Sequence, residues 1–221
     1  MNVRITPSSP VGTIKAIASK SAAHRLLICA AFADAPTRIR CEELNEDICA
    51  TVRCLEALGA VIVRQAPYFT VTPVKDLNKN PSLDCGESGS TMRFLVPVAC
   101  MLGVDAAFYM AGRLPNRPLS PLREELERNG IAFSAVGSNP LLCRGSLRGT
   151  EFSIPANVSS QFISGLLFAL AVSKKTGRIH LEGVVESTPY IDMTVNALGQ
   201  FGLNVIRTEH SLELSQNDGL R

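Results

Sequence analysis

The sequence predicts an α+β fold in which one β-α-β-α-β-β unit is written three times about a pseudo-threefold axis, with parallel helices buried at its centre. Three observations carry that expectation. A hydroxyl residue opens an apolar helical stretch at Ser21, Ser90 and Ser160, which stand 69 and 70 residues apart. A second helical pattern runs into a glycine at Gly59, Gly130 and Gly202, 71 and 72 residues apart, where the left-handed turn that ends many helices favours glycine. In each copy the first helix is apolar on nearly all sides and the second is amphipathic. The first therefore belongs to a buried layer and the second to a half-exposed one.

The units span about 15–85, 86–157 and 158–221, and residues 1–14 fall outside the plan as an orphan strand segment. Unit one opens with AAHRLLICAAF, in which Ala22, Leu26 and Ala30 share a face with Ala23, Leu27 and Ala31 beside it. A strand is expected at 37–41, then a helix capped by Asp47 with an Ile48, Val52 and Leu55 stripe, then strands at 61–64 and 68–72. Unit two reads SGSTMRFLVPVACMLG, with a kink expected at Pro97, followed by a strand at 107–110, a helix at 118–129 and strands beyond Gly130. Unit three reads SSQFISGLLFALAV, then a strand at 178–182, a helix at 190–201 and strands at 203–208 and 212–214.

Composition narrows the function classes. The chain is 46% hydrophobic, enough for a sizeable core, and its 22 basic and 20 acidic residues are mixed along it. A net charge of +2 implies no polyanion surface and hence no nucleic-acid partner. No apolar run is long enough to span a membrane and no secretion signal opens the chain, so the default expectation is a cytoplasmic protein. The seven cysteines contain no C-x-x-C pair, and none of the three histidines is spaced with them as zinc ligands would be. No metal is expected, and the thiols read as buried and free.

A helix N-terminus offers unpaired N–H groups and about half a positive charge, so three such ends aimed at one region would bind a small multiply charged anion. Five strings carry residues suited to that task. In SKSAAHR, Lys20 and Ser21 stand at the helix start, and Arg25 lies four residues on from Ser21, on the same face. A carboxylate fits that pair, with the Arg25 fork bidentate and Ser21 donating; a plain capped helix with surface cations fits it too. In CGESGSTMRF, Gly86 and Gly89 let the backbone approach a ligand, although the spacing and lysine of a nucleotide P-loop are missing. Arg93 in its first turn suits either a ligand or a neighbouring loop. RLPNRPLSPL places Arg117 in a proline-stiffened loop, as a ligand contact or an ordinary solvated cation. VSSQF opens the third helix with Ser159, Ser160 and Gln161, neutral donors able to hold phosphate at a helix end. ESTPYIDM adds Ser187 and Tyr190, suited to a polyol or phosphate, with packing as the other reading of Tyr190.

Taken in order and spacing, these strings resemble the N-terminal half of the 5-enolpyruvylshikimate-3-phosphate synthase family over essentially the whole chain. The resemblance implies two similar halves of three units each closing on substrate. It implies transfer of the enolpyruvyl group of phosphoenolpyruvate to the 5-hydroxyl of shikimate-3-phosphate, through a tetrahedral intermediate, in aromatic amino acid biosynthesis. It implies no cofactor. By position, Ser21 and Arg25 would hold the shikimate carboxylate, and Ser159, Ser160 and Ser187 the 3-phosphate. Gln161 and Tyr190 would border the ring, and Lys20, Gly89 and Arg117 would face the phosphate of phosphoenolpyruvate.

Two departures from the family pattern stand out. Glu87 replaces a frequent Asn and sets a carboxylate beside the anion site, its repulsion to be relieved by Arg93, Lys20 or protonation. Ser90 replaces a frequent Thr and keeps the hydroxyl. In the family, sensitivity to glyphosate depends on this loop. The groups the family uses for proton transfer and for the phosphoenolpyruvate carboxylate belong to the other half, so no catalytic residue is assigned here. The chain is expected to bind shikimate-3-phosphate without turnover, and segment 1–14 to pair with that other half. Two alternatives remain: a free-standing phosphometabolite-binding module, and a relative of the enolpyruvyl transferase acting on UDP-N-acetylglucosamine.

Overall fold

The computed structural model describes residues 3–4, 9, 11–14, 16–215 and 217–221. Unit one comprises α1 (Lys20–Ala31), β1 (Thr37–Arg40), α2 (Glu46–Leu58), β2 (Val61–Gln65) and β3 (Tyr68–Thr72). Unit two comprises β4 (Ser82–Asp84), α3 (Gly89–Leu102), β5 (Ala106–Tyr109), α4 (Leu122–Arg128), β6 (Ala132–Phe133) and β7 (Leu141–Arg144). Unit three comprises β8 (Glu151–Pro155), α5 (Ser160–Ser173), β9 (Gly177–Glu182), α6 (Thr188–Gln200), β10 (Ile206–Arg207) and β11 (Ser211–Leu214).

Each unit carries one sheet. Two share a strand order, β4-β5-β7-β6 and β8-β9-β11-β10, with a parallel outer pair and antiparallel remainder. The first is β1-β3-β2, all antiparallel. It lacks the strand that β4 and β8 provide, so among the described residues the outer side of β1 has no strand partner. Half of the expected strand segment at 1–14 lies outside the described residues; of those described in it, Val3, Val11 and Ile14 are exposed.

The repeat is repeated in hydrogen bonds as well. Past each glycine stop, a backbone N–H reaches back to a leucine carbonyl: Ala60 to Leu55, Ile131 to Leu126 and Leu203 to Leu198, at 3.1, 3.1 and 3.0 Å. Gly59, Gly130 and Gly202 all have positive φ, the conformation that makes this reach possible. Entry into the next strand position repeats too, with Asn78 donating to Leu58, Arg148 to Asn129 and Arg221 to Phe201. Leu220 then forms a parallel bridge with Ala33, just before β1.

The first helices form the central layer. α3 and α5 are buried along nearly their whole length, and α3 runs unbroken through Pro97. Proline frees the Arg93 carbonyl from its helical bond, and Gly165 of α5 packs against that carbonyl and the Pro97 ring. Gln161 meets Ser90 in the first turns of the two helices and Phe168 meets Phe94 edge-on at 5.5 Å further along, so the helices run parallel with their N-termini together. Each such buried ring contributes on the order of 1.5–3 kcal/mol.

Boundaries shift from expectation for local reasons. The capping hydroxyls are Ser19, Ser88 and Ser159, which accept from the amides of Ala22, Thr91 and Gln161. Ser21 and Ser90 are second helical residues and Ser160 a first, because the cap must keep an extended backbone to turn its side chain onto the helix. Asn45, not Asp47, caps α2. α4 begins only at Leu122, after a 3-10 turn at Leu114–Asn116 and a cis Ser120–Pro121 bond. The strand expected at 203–208 shrinks to Ile206–Arg207.

Candidate functional site

The tip of α1 is fastened by its arginine. Arg25 is only 2% exposed and donates through Nε to Thr194 Oγ1 at 2.7 Å and through Nη1 to the Ser21 carbonyl at 2.7 Å. Nη2 donates to the Tyr190 carbonyl at 2.9 Å and to Ser164 Oγ at 3.4 Å. The guanidinium also stands 5.0 Å above the Phe94 ring. Burial pulls its pKa down to about 10, still far above neutrality. The open fork expected from sequence is thus occupied. Three of these four bonds tie α1 to α5 and α6, the fourth returns to the carbonyl of α1's own Ser21, and one N–H of Nη1 stays uncommitted. Ser21 is half-buried above it, and Lys20 is exposed, paired with Asp47 at 2.6 Å.

At the tip of α3, two cations flank a bare backbone. A β-carbon at Gly89 would stand 2.8 Å from Nη1 of both Arg93 and Arg117, so only glycine allows this approach. Arg93 is 5% exposed, donates to Gln161 Oε1 at 2.9 Å and to the Pro118 carbonyl at 3.3 Å, and leaves Nε unpartnered. Burial first, and the neighbouring Arg117 second, hold its pKa down at about 10. Arg117 is exposed and its guanidinium has no ion-pair partner among the described residues. Glu87 does not relieve them. Its carboxylate lies directly over Gly112, while Lys20 and Arg93 have other partners.

Gln161 joins the tips of α5 and α3, accepting from Arg93 and donating through Nε2 to Ser90 Oγ at 2.9 Å. Beside it stand the half-buried Ser159 and Ser160. Ser187, at the start of α6, is exposed and held in the left-handed region at φ 57°, ψ 36°, with no capping bond from its side chain. Tyr190 is 49% exposed. A serine in that conformation is strained, and strain of this sort collects at ligand sites.

The three tips therefore close a triangle: α1 to α3 through Arg25 and Phe94, α3 to α5 through Gln161, α5 to α1 through Ser164 and Arg25. The first amides of α3, at Gly89 and Ser90, lie outside the helical ladder, and two guanidinium groups converge on Gly89. An anion seated there meets backbone donors, positive charge and hydroxyls together. Lys20, Ser21, Ser90, Gln161, Ser159 and Ser160 stand on the same end of the helix layer. Sequence reasoning passed over Ser164 and Thr194, which hold Arg25, and His24, Thr51, Thr91 and Ser88, which lock the first three helices; no spacing marks such cross-helix partners. Among the described residues no group of three ligating side chains could hold a metal ion, and no helix is long and apolar enough to cross a membrane.

Fold and site together define a three-unit α+β domain whose helix N-termini gather at one end, with cations and hydroxyls around them. The model of the family described as EPSP synthase (3-phosphoshikimate 1-carboxyvinyltransferase) matches residues 5–217, and the chain belongs to that family. It is similar to a 3-phosphoshikimate 1-carboxyvinyltransferase of Clostridium botulinum (strain Alaska E43 / Type E3), 36% identical over 214 residues, covering 94% of this chain and 49% of that protein. A Clostridium perfringens (strain ATCC 13124) protein of the same name is 39% identical over 207 residues, covering 92% and 49%. Among solved structures, EPSP synthase from Acinetobacter baumannii superposes with a TM-score of 0.78 at 22% identity, covering 95% of this chain and 48% of that one. The chain spans about half the length of the relatives it matches, corresponding to their N-terminal half.

Proposed function

We propose that this domain supplies the shikimate-3-phosphate side of an enolpyruvyl transferase that moves the enolpyruvyl group of phosphoenolpyruvate to the 5-hydroxyl, in the cytoplasm. The observation that carries the reading is the closed triangle of helix tips around Gln161, with two arginines converging on Gly89. Ser159, Ser160 and Ser187 take the 3-phosphate, and Gln161 and Tyr190 border the ring. Ser21 and the one uncommitted N–H of Arg25 take the carboxylate, by a single bond in place of a bidentate fork. Lys20, Gly89 and Arg117 face the phosphate of phosphoenolpyruvate, with Arg93 and Ser90 in support and Glu87 turned aside.

The partner is the half of the family that this chain does not span. The outer edge of β1 is where it engages, as β4 and β8 engage the edges of the other two sheets, and segment 1–14 pairs with that half in exchange. Alone, the domain binds shikimate-3-phosphate without turnover. Calorimetry of the chain with shikimate-3-phosphate tests this directly, followed by addition of a relative's C-terminal half and measurement of phosphate release. Binding with restored release supports the transferase half. Binding that never leads to release favours a free-standing binding module, and no binding rejects the site.

A further inference from the structure

A line of short hydrogen bonds runs from a buried imidazole to the end of α3. His24 on α1 is 0% exposed, and its Nδ1 lies 2.6 Å from Thr51 Oγ1 on α2. Thr51 Oγ1 lies 2.7 Å from Thr91 Oγ1 on α3, and Thr91 Oγ1 donates at 2.7 Å to Ser88 Oγ, the cap of that helix. Ser88 Oγ also accepts the Thr91 amide. The other ring nitrogen, Nε2, is buried with no partner.

Counting hydrogens orients the line. Each hydroxyl has one hydrogen to give. Thr91 spends its hydrogen on Ser88, so Thr51 must donate to Thr91. Thr51 has then spent its own, so the imidazole must donate to Thr51 through Nδ1–H. This leaves Nε2 as a bare acceptor, the less costly kind of orphan, since unpartnered buried N–H groups are the rarer kind. Ser88, which only accepts, keeps its hydroxyl hydrogen unspent beside Gly89.

We propose that His24 is a positioning residue for the anion-binding end of α3: as the neutral Nδ1–H tautomer it heads a one-way donor chain through Thr51 and Thr91 that leaves the Ser88 hydroxyl free to donate. The proposal rests on the reading of that helix end as an anion site. Hydrogen bonds in a chain polarise one another, so an anion drawing on Ser88 and the Gly89 and Ser90 amides also draws on the imidazole N–H. Burial keeps the ring neutral, with Lys20 and Arg25 acting in the same sense and Asp47 opposing. The competing acceptor for Thr91 is the Asp47 carbonyl, longer at 3.4 Å.

Nuclear magnetic resonance on the whole chain, uniformly labelled with 15N, tests this, inorganic phosphate being the probe. Long-range correlations should report the Nδ1–H tautomer at neutral pH. Phosphate should shift the Gly89 and Ser90 amides and, in parallel, the His24 Nδ1–H signal. In Thr51→Val the His24 signal should stop following phosphate, and phosphate should bind about threefold or more weakly; Thr51→Ser should restore both. An Nε2–H tautomer, an imidazolium, or a His24 signal that stays still while Gly89 and Ser90 saturate would overturn the positioning role. Silent Gly89 and Ser90 amides would instead reject the anion site itself, and the positioning role with it.

Discussion

Ser187 and His24 show how single residues trade stability for placement. Ser187 sits at φ 57°, where glycine would rest without strain, and its hydroxyl caps nothing inside the protein. Ser187→Gly should therefore stabilise the chain by about 1 kcal/mol in thermal unfolding while weakening shikimate-3-phosphate binding in calorimetry. A loss on both counts would make the serine an ordinary structural residue. His24 titrates near 6.5 when unfolded and about 4 in place, because burial penalises its charged form. Below its unfolded pKa the unfolded chain takes a proton that the fold refuses. Stability should thus be full above pH 6.5, decline as pH falls towards 4 by about 3 kcal/mol, and level off below. Urea midpoints measured across that window should lose this part of their slope in His24→Asn.

Among elements, the three glycine stops are equivalent in conformation and unequal in surroundings. Gly202→Ala meets nothing closer than the Arg221 side chain at 3.5 Å and should cost about 1 kcal/mol in backbone strain alone. Gly59→Ala would also drive a methyl to 2.5 Å from the Asp76 carbonyl, a backbone atom with little freedom to move. Its melting temperature should fall further than that of Gly202→Ala. At the α3–α5 contact, Gly165→Ala would press on the Arg93 carbonyl that Pro97 leaves free. Forcing those helices apart strains the Gln161 bridge, so this variant should lose phosphate affinity as well as stability, measured by titration and melting together.

For the molecule as a whole, the first sheet is the incomplete one. Alternation along β1 turns the Arg38 and Arg40 backbone groups away from β3, since the Cys41 amide bonds the Pro67 carbonyl and every second residue of the strand shares that direction. Those two amides should exchange hydrogen readily in the isolated chain and become protected when a relative's C-terminal half is added, while the Ala107 and Arg178 amides stay protected throughout. Unchanged exchange at Arg38 and Arg40 on productive association would place the partner elsewhere. An unpaired edge strand invites pairing, and Arg38 and Arg40 with their charged side chains blunt that tendency.

Much of this architecture was legible as periodicity. Apolar faces at helical spacing, and glycines that must adopt positive φ, are local requirements, so the three units, their order and the location of five ligand-suited strings could be read along the chain. The helix-opening hydroxyl was misplaced by two residues at Ser21 and Ser90 and by one at Ser160, because several hydroxyls compete at each helix start and backbone geometry selects among them. Contacts between helices left no local trace. That Arg25 spends its fork on Thr194, Ser164 and two carbonyls, that Glu87 turns onto Gly112, and that His24 reaches Ser88 through two threonines depend on residues up to 169 positions apart in the chain. The sequence by itself determined which elements form and where donors and cations lie along them. Only packing decided which of those groups face one another, since burial forces polar groups to find partners wherever the fold brings them.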